Sequence, residues 1–185
     1  MLSRLLRAQL GTDEAMRSGA EAEAIFVLLD TGVETIELSE LETGLQLNWR
    51  VGPADDPVSS QTYSEFTHTH NEVSKRPYSP VHLSAKLQQN GDIVISWFRR
   101  SRISADSWDT ADIPLGETEE KYHIEIFDDS DSIIRSFDVS ETQYTYPVSE
   151  QLQDHGEQIT QIKFSAAQIA SSGLAGATRA AEIHI

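Results

Sequence analysis

The chain has 185 residues, with 14 Lys and Arg against 30 Asp and Glu, a formal charge of −16 at pH 7. At 38% hydrophobic and 24% charged it lies above the disordered regime, and its length suits one domain or two modest ones. Seven net negative charges fall before residue 80 and nine after it, an even spread that argues against binding nucleic acid or an anionic membrane surface, while the absence of cysteine excludes disulfides, Cys-ligated zinc, iron–sulfur clusters and thiol nucleophiles.

Leu2, Leu5, Leu6 and Leu10 recur at helical spacing and stop at Gly11; Thr12 then caps a short turn with Asp13 and Glu14 at its positive end. Basic residues at the N-terminus without an apolar stretch or a small-residue cleavage site give no signal peptide, so synthesis in the cytoplasm is expected. The apolar run over 24–29 is too short to span a bilayer, so no membrane insertion is expected. Phe26-Val-Leu-Leu, the turn signal Asp30-Thr31-Gly32 and the segment 33–38 read as a hairpin. Leu45, Leu47 and Trp49 alternate as a half-buried strand, 52–57 is a loop, and a further strand runs from Tyr63 to about His70. Pro77 and Pro80 punctuate the chain, setting domains at 1–79 and 80–185.

Beyond Pro80, Val81, Leu83, Ala85 and Leu87 alternate, Asn90-Gly91-Asp92 turns the chain, and Ile93, Ile95 and Trp97 alternate again. An acidic loop over 101–119 precedes the alternation Tyr122, Ile124, Ile126; 128–132 is a turn, and strands follow at 133–139, 143–148, 159–168 and 181–185. Seven short strands in about one hundred residues fit an immunoglobulin-like sandwich. The expected fold is therefore mainly β, a small β-rich N-terminal region with a short helical opening, followed by that sandwich.

The order of features in 80–185 resembles a fibronectin type III domain. Asp92-Ile-Val-Ile-Ser-Trp97 matches its second strand, Tyr122-His-Ile-Glu-Ile126 its third and Gln161-Ile-Lys-Phe-Ser-Ala-Ala167 its sixth. The resemblance implies a core of Trp97, Ile93, Ile95, Tyr122, Ile124 and Phe164, and puts Thr160 where a corner tyrosine usually stands. A second resemblance covers nearly the whole chain. Leu5-Leu6-Arg7-Ala8-Gln9-Leu10-Gly11-Thr12, Phe26-Val-Leu-Leu-Asp30, Tyr63 with Thr67-His68-Thr69, Arg76-Pro77 with Ser79-Pro80-Val81-His82-Leu83, Ile95-Ser-Trp97-Phe-Arg99-Arg100-Ser-Arg102, Asp106-Ser-Trp108 and Pro114-Leu115-Gly116-Glu117 occur in that order. The series resembles the C-terminal end of the large baseplate, or tail-tip, protein of gene transfer agents and related phage tails. Ala8 stands where that family usually has Gly.

The chemistry-bearing sets are sparse. His68 and His70 share a strand face, but zinc would need a third ligand such as Glu65 or Glu72, and the pair reads as a polar face. Asp128-Asp129-Ser130-Asp131 lacks the Gly and distal Glu of a calcium loop and reads as a solvated turn. Asp106, Asp109, Asp112, Glu117, Glu119 and Glu120 crowd the acidic loop, where a glycosidase-like pair is conceivable, but a loop on a small sandwich rarely supplies two carboxyls facing each other across a cleft on a rigid support. Arg99, Arg100 and Arg102 form the one basic cluster in the sequence and read as ion partners of that loop, while Trp108 reads as a plug of the sandwich edge; the alternative is an anion, glycan or partner contact made by these arginines and Trp108.

The resemblance implies a non-catalytic structural and interaction module at a phage-like tail tip, without cofactor or metal. Its expected partners are other tail proteins and a host-surface glycan or receptor, with homo-oligomerisation as part of a full tail protein. The alternative is a glycan- or receptor-binding domain on the same scaffold.

Overall fold

The computed structural model describes residues 12–17, 19, 21–28, 30–33, 35–71, 73–103 and 113–185. It divides into two compact units, one of residues 22–75, the other of Arg76–Ile185 with the segment ending at Glu21. The leucines at 2–10 and Trp108 lie outside the described residues. A short helix, α1 (Asp13–Arg17), opens the described chain, with the Met16 N–H on the Thr12 carbonyl.

In the unit 22–75 the expected turn at Asp30 forms. Its Oδ1 accepts from the Gly32 N–H at 2.9 Å, and the Val33 N–H bonds the Asp30 carbonyl. Among the described residues the flanking runs do not pair, and neither 25–28 nor 35–39 is a strand, so the hairpin expected over 26–38 does not form in them. Phe26-Val-Leu-Leu is an unbroken apolar run, which needs cover on both faces, and a small unit has no second layer to give it. The regular pairing is β1 (Gln46–Val51) with β2 (Ser64–Thr69), antiparallel, with Trp49 opposite Phe66. Between them the Tyr63 ring lies against Gly52, where a Cβ would meet the ring at 2.6 Å, and its hydroxyl reaches the Pro53 and Asp56 carbonyls.

The second unit is a sandwich. β3 (Val81–Leu87), β4 (Ile93–Phe98) and β7 (Gln143–Tyr146) form one sheet in the order β3-β4-β7. β5 (Tyr122–Phe127), β6 (Ile133–Val139), β8 (Gln161–Gln168) and β9 (Arg179–His184) form the other in the order β6-β5-β8-β9. All pairings are antiparallel. β4 and β5 alternate buried and half-buried residues along nearly their whole length, as strands with one face on a core must. Ile93, Ile95, Trp97, Tyr122, Ile124, Ile126, Tyr146, Ile162, Phe164 and Ala166 make that core, with Trp97 edge-on to Tyr122 at 5.3 Å. A bulge in β3 between Val81 and Ser84 holds His82 at φ 51°, its ring edge-on to Phe98.

One element departs from the expected strands. The strand expected over 143–148 ends at Tyr146, and α2 (Val148–His155) follows. Pro147 precedes the helix, and Gly156 closes it in the left-handed region at φ 80°, its N–H on the Leu152 carbonyl. Asp92, in the β3–β4 turn, accepts the Val148 N–H at 3.0 Å and so caps α2 from 56 residues away. Gln151, fully buried, donates to the Gly91 and Tyr146 carbonyls. Lying between β7 of one sheet and β8 of the other, this helix fastens the connection between the sheets.

Candidate functional site

The arginine cluster leaves the end of β4 and is engaged inside the sandwich unit. Arg100 donates from Nε to the Ser79 carbonyl and from Nη2 to the Ser79 hydroxyl, both at 2.8 Å; Nη2 also pairs with Asp13 of α1 at 3.3 Å. Its guanidinium lies over the Tyr78 ring, 5.4 Å from the centroid. Arg99 pairs with Glu120, which also accepts the Tyr122 hydroxyl at 2.7 Å, and donates to the Ile113 carbonyl. Burial, reinforced by the Glu120 carboxylate, pushes the Tyr122 phenol far up. Arg102 pairs with Glu117 at 2.8 Å. Burial alone would raise the Glu117 carboxyl; the Ser171 N–H, Arg102 and the Ser171 hydroxyl outweigh it and hold the group below the usual glutamate range.

Arg76 completes this end. It donates from Nε to the Ala175 carbonyl at 2.9 Å and from Nη2 to the Gly176 carbonyl at 3.2 Å. The Ala177 N–H returns a bond to the Pro77 carbonyl, and the Gly176 N–H bonds the Gln168 carbonyl at 2.7 Å. Residues scattered from Asp13 to Ala177 thus meet at one end of the sandwich, tied by bonds from guanidiniums to carboxylates and to backbone carbonyls. Such an arrangement fixes chain segments; among the described residues, which exclude Asp106, Asp109 and Asp112, it presents neither a nucleophile beside a base nor a pair of facing carboxylates. The expected core residues Ile93, Ile95, Trp97, Tyr122, Ile124 and Phe164 are all buried.

A second constellation stands on the outer face of the four-stranded sheet and has no counterpart in the sequence reading. His123 on β5 faces Asp138 on β6, with Nδ1 2.7 Å from Oδ1, and Ser136 Oγ lies 3.1 Å from His123 Nε2. His123 and then Lys121 hold the Asp138 carboxyl below its usual range. The spacing is that of nucleophile, base and orienting carboxylate. The face is open, however, with the His123 side chain 38% exposed, and the neighbouring depression of about 550 Å³ is lined by Lys121, Asp138, Val139 and Gln143 and not by Ser136 or His123. The chain of bonds therefore serves as a cross-strand polar ladder. Cross-strand register could have revealed it, had the β5–β6 pairing been assigned residue by residue.

Among the described residues no group of three or more His, Asp or Glu is placed to hold a metal ion. Asp128 is engaged by its own turn, accepting from the Ser130 N–H and hydroxyl and the Ser132 N–H. The Ser130 hydroxyl, foremost, keeps its carboxyl low. Among the described residues no helix is long and apolar enough to cross a membrane.

No protein-family model and no curated protein matches the chain. Solved structures similar to it include domains d3–d4 of the rat CD45 extracellular region, at 10% identity and TM-score 0.40, covering 89% of this chain and 77% of that one. The FN1–FN3 domains of chicken CNTN1 are 16% identical with TM-score 0.37, covering 66% of this chain and 35% of that one. The FN5 domain of Drosophila Lar is 17% identical with TM-score 0.34, covering 58% and 95% respectively. With TM-scores from 0.34 to 0.40 these likenesses carry no argument; the sandwich rests on the strand order above.

Proposed function

We propose that the chain is a structural and interaction module at the tip of a phage-like tail, where it contributes to assembly and host contact beside other tail proteins. The observation that supports this most is where the resembling segments fall. Ser79-Pro80 and Gly116-Glu117 are far apart in sequence, yet each bonds to the segment Arg99 to Arg102 at one end of the sandwich, through Arg100 and Arg102 respectively, and Arg76-Pro77 bonds Ala175 to Ala177 at the same end. A motif series that packs that end is what a scaffold requires, and it asks for no chemistry at the site. With all three arginines engaged internally, the glycan alternative rests on Trp108.

The test is location. Antibody against residues 80–185 should decorate the distal end of tail-like particles from the producing bacterium, and the chain should co-purify with them. Particles free of the chain, or decorated along the shaft, would overturn the reading. A glycan array bound through Trp108, and lost in Trp108→Ala, would instead favour the alternative.

A further inference from the structure

We propose that the apolar face of the β1–β2 hairpin docks a partner that presents apolar side chains inside a rim of lysine and arginine. This rests on the reading of the chain as an interaction module and names the chemistry of one contact.

Alternation puts Leu47 and Trp49, both half-buried, and Val51 on one face of β1, and the register adds Phe66 from β2, flanked by Ser64 and His68. The Trp49 and Phe66 rings stack at 6.4 Å, yet Phe66 remains 50% exposed and Val51 57%. Arg50 and Glu65 pair on the opposite face at 2.9 Å. The sheet is thus two-sided, with a polar face suited to water and an apolar face that two strands cannot cover. The same unit exposes Ile25 at 92% and Phe26, Val27 and Leu28 at 60–65%, more apolar surface than a self-contained monomer leaves in one small unit.

Charge selects the occupant. Residues 22–75 carry ten Asp and Glu against Arg50 and Lys75, and Arg50 is already paired with Glu65. A second copy would set ten carboxylates against ten, so self-association through this face is opposed. An apolar patch ringed by basic residues satisfies both the uncovered surface and the unbalanced charge.

The intact chain is titrated, by fluorescence anisotropy, into a labelled amphipathic helical peptide of leucine and lysine, with a leucine and glutamate peptide as control. Saturable binding to the basic peptide alone is expected, weakened roughly tenfold by Val51→Asn and again by raising salt from about 50 to about 300 mM. Val51 is exposed, so the substitution leaves the fold intact; Phe66→Ser serves as a second variant, its folding checked by circular dichroism. Binding indifferent to both variants, equal binding of the acidic peptide, no binding, or a Val51-dependent dimer in sedimentation would overturn the proposal. None of these outcomes depends on where the chain sits on a particle, so the docking claim and the tail-tip reading fail separately.

Discussion

A methyl group on Gly176 would stand 2.6 Å from the Gln168 carbonyl oxygen and 2.9 Å from that of Pro77. Both obstacles are backbone, fixed by the bonds of Gly176 and Ala177, so neither can swing away. Gly176→Ala should therefore cost about 1–3 kcal/mol, read as a lowered denaturation midpoint; an unchanged midpoint would mean this end is loosely held. Glu117 makes a pH prediction. Its folded carboxyl titrates lower than an unfolded glutamate, so its contribution is fully present above about pH 4.3 and disappears as pH falls through the folded value. Glu117→Gln should lower stability at pH 7 by about 1–2 kcal/mol and flatten the acid limb of a stability-against-pH curve. A limb as steep as that of the parent chain would remove Glu117 from the account.

At the scale of elements, α2 shows what sequence reading reaches and what it misses. β4 and β5 were legible because Ile93, Ile95, Trp97 and Tyr122, Ile124, Ile126 alternate with polar residues, and Asn90-Gly91-Asp92 marks its turn chemically. The helix was not, because its fully buried residue is Gln151 and its anchors are charges, so no apolar period announces it. Its signs were Pro147 before it and Gly156 after it. The partners of Arg99, Arg100 and Arg102 were legible only as a basic cluster near acids, since pairs such as Arg100 with Asp13 depend on tertiary folding. Those anchors are testable. Asp154 accepts Arg135 at 2.6 Å and the Tyr146 hydroxyl at 2.8 Å, and these bonds hold its carboxyl low against a burial that would raise it. Asp154→Ala leaves both donors without their acceptor and should cost about 1.5–3 kcal/mol by chemical denaturation, more than truncating the exposed Leu152 on the same helix. Equal costs for the two would mean that α2 is held by apolar contact. Trp97→Ala, at the centre of the core, should cost about 3–5 kcal/mol, enough to leave the sandwich barely folded. A melting temperature unchanged within error would contradict the packing described.

For the whole molecule, the two units differ in how they bury surface. The sandwich has two sheets closing on one core, whereas residues 22–75 hold a single pair of strands and a series of exposed apolar side chains. A fragment beginning at Arg76 should fold alone. One beginning at residue 80 should melt lower, because it loses Arg76 to Ala175 and Gly176, Pro77 to Ala177, and Ser79 to Arg100. Residues 22–75 should be marginal without a partner.

Native-state hydrogen exchange on the intact chain tests this division most directly, because it reads the stability of each strand separately. The account predicts the slowest amides in β4, β5 and β8, and exchange faster by orders of magnitude in β1 and β2. Equal, strong protection of β1 and β2 in the isolated chain would show that residues 22–75 are stable without cover, and would contradict the claim that their apolar face is built for a partner.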